Sequence, residues 1–193
     1  MNDQAMFNVV LIASMLASTV IRLPHARRNR RNQITGHLRD GLEKTLMGAV
    51  FAGMMILLLA WIATSQPAFA NYARPAWLGW TGATLLLPCL WLFWRSHADL
   101  GRNWSPWLEV HAAQTLVTHG VYARIRHPMY ASIFISCIAQ ALLLPNWVAG
   151  PAGLVSFLAM YLERARREED LMLHRFGTAY REYMGRTGRI LPR

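Results

Sequence analysis

The side chains best suited to chemistry lie in two polar segments, which flank a pair of apolar stretches in the second half of the chain. The first segment contains residues 126–130, and the second contains the adjacent pair Glu168 and Glu169. Pro128 is well suited to begin a helix, because its missing N–H costs nothing in a first turn. His127 is then expected at the start of that helix, where free N–H groups favour an anion.

Each of these features also has an ordinary structural explanation. Basic side chains at a membrane boundary commonly anchor a helix, and glutamates beside arginines commonly form a salt-bridged surface. The functional alternative is that one glutamate holds a cationic group of a ligand and an arginine holds an anionic one. If the two apolar stretches form a tight hairpin, its ends lie side by side and bring His127 and Tyr130 close to Glu168.

The composition is typical of a membrane protein. Apolar residues make up 54% of the 193 residues and charged residues only 16%, yet the net charge is +10. Lys and Arg concentrated in cytosolic loops produce this combination, whereas nucleic-acid binding would leave the apolar segments unexplained. We therefore expect the lipid bilayer, and no nucleic acid, as a partner. Cys89 and Cys137 lie in apolar runs without nearby histidines, so we expect buried thiols and no metal site.

The apolar segments predict an all-α integral membrane fold with about five transmembrane helices, three of them followed by a C-terminal hairpin. They are residues 5–21, 45–64, 76–94, 129–144 and 147–162. The last two are slightly short, so the hairpin either spans the bilayer or enters it from one side. Pro145 and Asn146 favour a turn between them. We divide the chain into an N-terminal three-helix region, 1–95, and a C-terminal region, 96–193, which carries the polar segments.

The charges of the loops predict an orientation. Residues 22–44 are rich in arginine, including Arg30, Arg31 and Arg39, whereas residues 65–75 carry a single charge, Arg74. The first loop is therefore expected in the cytosol and the second outside. Alternation then places the N-terminus outside, and both polar segments and the C-terminus in the cytosol. The arginines of the first loop are interpreted as topology signals that contact anionic lipids.

Residues 163–186 are typical of an amphipathic helix that leaves the membrane. Glu169, Leu173 and Tyr180 recur at roughly helical spacing and share a face. Gly177 allows the helix to end or bend.

The ordered set of motifs resembles the isoprenylcysteine carboxyl methyltransferase family. The resemblance covers roughly residues 100–192, nearly half of the chain, while the N-terminal helices are similar only in number and hydropathy. The matching motifs are residues 101–104, residues 120–130, Glu168 and Glu169, Phe176 and Gly177, Tyr180, Tyr183 and Arg186.

The resemblance implies a methyltransferase that uses S-adenosyl-L-methionine at the cytosolic face, on a lipophilic or lipidated substrate arriving laterally from the bilayer. The expected cofactor-binding residues are Leu116, Gly120, Val121, Tyr122, Arg126, His127, Pro128, Met129, Tyr130, Glu168 and Glu169. The expected catalytic side chains are Glu168, His127 and Arg186. Arg186 would orient a substrate group, acidic in carboxyl methylation, and Arg189 is an alternative for that role.

Methyl transfer from a sulfonium requires mainly the alignment of the reacting groups, and neither a metal nor a covalent enzyme intermediate. A carboxylate acceptor is already ionised at neutral pH, whereas a thiol or amine would need a base such as His127 or a glutamate. The sequence does not choose among oxygen, nitrogen and sulfur acceptors. Two alternatives stay open: an NADPH-dependent membrane reductase of the sterol reductase type, which carries a similar region around His127, and a non-catalytic membrane assembly factor.

Overall fold

The fold is built from seven α-helices and one small antiparallel sheet within the described part of the chain. A computed structural model describes residues 3–29, 34–37, 40–111 and 114–193. The α-helices are α1 (Asp3–Asn29), α2 (Gly41–Phe51), α3 (Leu57–Thr64), α4 (Ala76–Leu100), α5 (Pro128–Leu143), α6 (Ala152–Phe176) and α7 (Thr178–Arg186). A π-helical turn, Ala52–Ile56, joins α2 to α3, and 3-10 turns occupy Ala68–Ala70, Gly101–Asn103 and Gly120–Ala123.

The predicted helical, membrane-associated class is confirmed in its main features. Three helical stretches are long and apolar enough to cross a membrane, namely Asp3–Asn29, Gly41–Thr64 and Ala76–Asn103, and Pro128–Leu143 is apolar but shorter. The sequence analysis missed one detail, an antiparallel pair of strands formed by β1 (Ile34–His37) and β2 (Glu109–His111). A total of five transmembrane helices stays a prediction, as does the division of the chain at residue 95.

Two predicted helix boundaries are wrong. Helix α1 does not end before Arg22 but continues through Pro24 to Asn29, although an interior proline removes one backbone hydrogen bond. The last apolar helix begins at Ala152 rather than Trp147. The Asn146 side chain explains the delay, since it accepts the N–H groups of two following residues at 2.9 and 2.8 Å and holds the chain in a turn.

Helix α6 combines an apolar first half with the predicted charged, amphipathic second half. It continues without interruption past Leu162 and ends at Gly177, whose φ of 56° is the left-handed conformation that favours glycine. The predicted helix end at Gly177 is therefore confirmed. The predicted basic loop is described only in part, because Arg30, Arg31 and Arg39 lie outside the described residues.

The core has two clusters that hold the helices of the hairpin against the N-terminal half. One cluster joins α1, α3, α4 and α5, and includes Phe7, Trp61 and Leu143. The other joins α5 and α6 through side chains such as Phe157. Both cysteines are buried and free, as predicted, and the two clusters together fix the start of α5 beside the second half of α6.

Candidate active site

The segment before α5 is held by an aspartate at the end of α4. The Asp99 carboxylate accepts the backbone N–H of Val121 at 2.9 Å. Gly120 has a φ of 60°, and a Cβ atom on it would lie 2.1 Å from the Asp99 Oδ2 atom. A side chain at position 120 is therefore excluded both by backbone conformation and by space. Gly120 and Val121 thus attach the 3-10 turn to α4.

Residues after α7 pair with the chain just before α5. The Arg126 N–H donates to the Gly188 carbonyl and the His127 N–H to the Arg189 carbonyl, each at 2.8 Å. The Gly188 N–H returns a bond to the Arg124 carbonyl at 3.2 Å. This short parallel bridge fixes the backbone that carries the arginine and the histidine of the predicted site. Pro128 then begins α5 at its first position, as predicted.

Glu169 is the centre of a buried ion-pair cluster. Its side chain is 4% exposed and lies 3.1 Å from the Arg126 Nε atom and 3.3 Å from the His127 Nε2 atom. The Arg189 guanidinium also donates to both of its oxygens. Burial by itself raises the pKa of Glu169, but the hydrogen bonds from His127 and Arg189 outweigh burial and lower it to about 2. Glu169 is therefore an ionised carboxylate whose oxygens are already engaged by the protein.

The neighbouring Glu168 has a different environment. Its carboxylate accepts a hydrogen bond of 2.6 Å from the Tyr130 hydroxyl. Among the described residues, no Lys, Arg or His lies within ion-pairing distance of it. It is half-buried on the wall of a cavity, whereas Glu169 lies behind that wall. The two adjacent glutamates thus differ: Glu169 is engaged by three basic side chains, whereas Glu168 faces the cavity and has no ion-pair partner in the described part of the chain.

The cavity lies between the start of α5, the second half of α6 and the segment that follows α4. It is an open cleft, and its empty space of about 1190 Å³ includes its wide mouth. The predicted site residues that line it are Leu116, Tyr122, Arg126, His127, Met129, Tyr130 and Glu168. The structure therefore brings together residues from both polar segments.

The other predicted site residues do not line the cavity. They are Gly120, Val121, Pro128, Glu169 and Arg186. Gly120, Val121 and Pro128 set the backbone at and just before the start of α5. Glu169 is the centre of the ion-pair cluster behind the wall. Arg186 is exposed on α7, with its guanidinium carbon 5.9 Å from the centre of the Tyr183 ring. Its alternative, Arg189, is bound to Glu169. Neither arginine stands where it would orient a substrate group in the cavity.

Two aromatic residues of α7 complete the cavity wall. Tyr180 and Tyr183 were recognised as part of the motif but were not predicted to line the site, and both do. The Tyr183 hydroxyl donates to the Tyr122 carbonyl at 2.7 Å. Burial raises the pKa of Tyr183 to about 12 and also raises that of Tyr180. Both side chains are therefore neutral hydrogen-bonding groups near neutral pH.

The sequence analysis missed several cavity residues that lie on other elements. Arg164 is 8% exposed, pairs with Glu43 of α2 at 3.3 Å, and donates to the Pro106 carbonyl at 2.9 Å. Its position one helical turn before Glu168 was a usable signal. Arg22 of α1 and Trp104 also line the cavity. Arg22 gave no distinguishing signal, because an arginine at the end of an apolar helix fits a topology role equally well.

Comparison with known proteins shows that part of this site is similar to a known family. The model of the isoprenylcysteine carboxyl methyltransferase (ICMT) family matches residues 82–174, which include the start of α5 and both glutamates. We refer to residues 82–174, which match this model, as the ICMT-family region. The predicted resemblance is therefore confirmed, and the match begins inside α4, so that all of α1 to α3 lies outside it.

Curated proteins support the same relationship. Over 84 residues the chain is 36% identical to the protein-S-isoprenylcysteine O-methyltransferases of Tribolium castaneum and Homo sapiens, covering 44% of this chain and 30% of each relative. The chain thus aligns with less than a third of the length of these ICMT relatives. Protein-S-isoprenylcysteine O-methyltransferase B of Arabidopsis thaliana is 27% identical over 162 residues, which cover 82% of both chains.

A solved structure supports the fold. The structure of the eukaryotic intramembrane Ras methyltransferase ICMT without a monobody superposes with a TM-score of 0.54 at 23% identity. The superposition covers 80% of this chain and 54% of that one. The ICMT-like membrane fold therefore extends beyond the region that the family model matches and includes part of the N-terminal half.

Proposed function

We propose that this chain is an S-adenosyl-L-methionine-dependent methyltransferase that acts on a lipophilic acid at the cytosolic face of a membrane. An S-isoprenylcysteine with a free carboxylate is the first candidate substrate. The names of the curated ICMT relatives support this choice over the reductase and assembly-factor alternatives, since they describe O-methyltransferases of protein S-isoprenylcysteine.

The observation that carries the proposal is the Glu168 carboxylate on the wall of the cavity, which has no ion-pair partner among the described residues. S-adenosyl-L-methionine carries a sulfonium, an ammonium and a carboxylate beside an adenine ring, so it requires anionic, cationic and aromatic partners. The cavity offers Glu168 for a cationic group, the rings of Tyr122 and Tyr180 for a flat apolar surface, and His127 at the helix start. The residues present therefore fit this cofactor.

The remaining predicted site residues support those that line the cavity. Glu169 aligns Arg126 and His127 through its ion pairs. Gly120, Val121 and Pro128 set the backbone of the same segment, and Leu116 and Met129 supply apolar surface. We assign Arg186 no contact with the cofactor or the substrate. This assignment replaces the expectation that it orients the acidic group.

Methyl transfer requires little of the protein beyond alignment of the acceptor oxygen with the methyl group. When bound, S-adenosyl-L-methionine supplies a methyl group on a positively charged sulfur. A carboxylate acceptor is already ionised at neutral pH, so the chain needs no general base. Its residues instead hold the acceptor oxygen at near-attack distance, which is a large source of rate enhancement in displacement reactions. Exclusion of water by the buried walls strengthens the local electrostatic interactions.

The orientation of the chain in the membrane is part of the same proposal. We place the N-terminus outside, and the cavity and C-terminus in the cytosol, from the distribution of arginines. A lipophilic substrate then reaches the cavity from the bilayer while its polar end remains at the interface. The hairpin of α5 and α6 enters the membrane from the cytosolic side, as either a span or a re-entrant pair.

The direct test is the binding of S-adenosylhomocysteine to the detergent-purified chain by calorimetry. We expect saturable binding that Glu168→Gln weakens at least tenfold, because the neutral amide removes the available charge. Asp170→Asn is the matched control, since it removes an exposed carboxylate of the same helix and should leave binding unchanged. No binding to the wild-type chain at high micromolar concentration would contradict the proposed cofactor.

A second measurement tests the reaction. Membranes that contain the chain are incubated with methyl-labelled S-adenosyl-L-methionine and N-acetyl-S-farnesylcysteine, and the products are extracted and separated. We expect a base-labile labelled ester that Glu168→Gln abolishes. Label in a base-stable amine or thioether would retain the methyltransferase assignment but replace the carboxylate acceptor.

A further inference from the structure

The charged side chains of the cavity wall differ in how fully they are compensated. Arg126 pairs with Glu169 at 3.1 Å, and Arg164 pairs with Glu43 at 3.3 Å. Arg22 also lines the cavity, but among the described residues no carboxylate lies within ion-pairing distance of it. Within the described part of the chain, Arg22 is therefore an arginine of the wall without an ion-pair partner, and it is the counterpart of Glu168.

Aromatic rings hold Arg22 without neutralising it. Its guanidinium carbon lies 5.9 Å from the centre of the Phe93 ring and 5.7 Å from that of the Trp104 ring. Trp104 is only 2% exposed, so the surface beneath the guanidinium is rigid. Cation–π contact orients an arginine while leaving its N–H groups free to donate. The arginine is thus positioned over the cavity by α4 and by the segment that follows it.

A second arginine makes an anion at this place more favourable. Arg164 lies close enough to interact electrostatically with Arg22, and like charges repel. An anion near both guanidinium groups would be attracted by each. The cavity therefore has an acidic side chain, Glu168, which favours a cationic ligand group, and a basic side chain, Arg22, which favours an anionic one.

We infer that Arg22 binds the carboxylate of the acceptor substrate. The inference rests on the proposed function and assigns the role that Arg186 and Arg189 are badly placed to fill. A planar guanidinium suits a carboxylate, because it offers parallel N–H donors to both oxygens. The subsite selects lipophilic molecules with a free acid and disfavours their amides and esters. The subsite also favours release of the ester product, because methylation removes the negative charge that Arg22 recognises.

Arg22 belongs to α1, outside the ICMT-family region, which begins at residue 82. The substrate subsite of this chain is therefore completed by its N-terminal helix. An arginine that only contacted lipid headgroups would serve equally well anywhere on the same turn of α1. Arg27 and Arg28 provide the comparison, because they are exposed like Arg22 and lie near the end of the same helix but do not line the cavity.

The experiment separates substrate binding from cofactor binding. Inhibition constants are measured for the amide of N-acetyl-S-farnesylcysteine, and the KM for the free acid, with wild-type, Arg22→Gln, Arg22→Lys and Arg27→Gln chains. Binding of S-adenosylhomocysteine to each chain is measured in parallel. We expect Arg22→Gln to raise the KM for the acid at least tenfold, to leave the affinity for the amide within about twofold, and to leave cofactor binding unchanged.

The conservative and control variants complete the design. Arg22→Lys should recover part of the affinity for the acid, because it retains the charge but loses the paired donors, and Arg27→Gln should match the wild type. Weaker S-adenosylhomocysteine binding by Arg22→Gln would instead assign Arg22 to the cofactor carboxylate and overturn the inference. Equal loss of acid and amide binding would also overturn it. A wild-type chain that methylates no lipophilic acid would contradict the proposed function itself.

Discussion

The two walls of the cavity are held in place by different kinds of contact. The wall formed by α5, the second half of α6 and α7 is held by a dense set of ion pairs and backbone bonds centred on Glu169. The wall formed by α1, α2 and the segment after α4 relies on one buried ion pair, Glu43 with Arg164, and on aromatic packing around Arg22. The first wall lies mostly within the ICMT-family region, while α1 and α2 lie outside it.

From this difference we predict that one wall mainly binds the cofactor and the other mainly binds the acceptor. A densely bonded wall suits a cofactor whose shape is the same in every reaction cycle. A wall with fewer polar constraints suits an acceptor that must enter from the bilayer and leave again. The comparison predicts that substitutions in the first wall mainly affect folding or cofactor binding. Substitutions in the second wall should have smaller effects on stability and larger effects on the acceptor.

The largest effect on stability is expected for Glu169→Gln. The neutral amide leaves Arg126, His127 and Arg189 without their shared counter-charge, and breaking a buried ion pair from one side costs about 3–5 kcal/mol. The free energy of unfolding in a mixed-detergent titration measures this change. Asp170→Asn, the exposed neighbour, is expected to cost less than about 0.5 kcal/mol. Equal stability of the two variants would show that the first wall does not depend on its ion-pair cluster.

Acid pH should weaken the same cluster. Because folding lowers the pKa of Glu169 from its ordinary 4.5 to about 2, its contribution to stability is complete above about pH 4.5. That contribution declines as the pH falls toward 2, and it amounts to about 3 kcal/mol in all. Unfolding free energies measured between pH 6 and 3 should therefore decrease more steeply for the wild type than for Glu169→Gln. Parallel pH profiles would contradict this assignment.

The second wall should be more tolerant. Glu43→Gln removes the partner of Arg164 and weakens the bond to the Leu108 N–H, which we expect to cost about 2–3 kcal/mol because charge-assisted hydrogen bonds are lost. The KM for a lipophilic acid should rise, while S-adenosylhomocysteine affinity stays within about threefold. A larger loss of cofactor affinity than of acceptor affinity would contradict the prediction that the second wall mainly binds the acceptor. Lys44→Gln, the next residue, provides a surface control.

The smallest effect is expected at Arg186. Its guanidinium is exposed and contacts the Tyr183 ring, so Arg186→Gln should change the unfolding free energy by less than about 0.5 kcal/mol. The KM for the acceptor should remain within about twofold of the wild type. A tenfold rise would restore the original expectation for Arg186 and would locate acceptor binding on α7 instead of α1.

The sequence predicted the first wall far better than the second. The contacts of Glu168 and Glu169 with the start of α5 followed from a hairpin that places its two ends together, and both contacts are present. Sequence order could not separate the roles of the two glutamates, because their difference depends on which helix face meets the cavity. Arg22 was missed because its contacts come from α4 and Trp104, about 80 residues further along the chain.

The parallel bridge between the Gly188 region and the start of α5 has a consequence for biogenesis. Arg126 is bonded to Thr187, 61 residues later, so the hairpin of α5 and α6 is synthesised before the segment that pairs with its start. A ribosome that has translated to the end of α6 has already made both glutamates, but Glu169 still lacks Arg189. The ion-pair cluster around Glu169 can therefore be completed only after residues 187–189 have been synthesised.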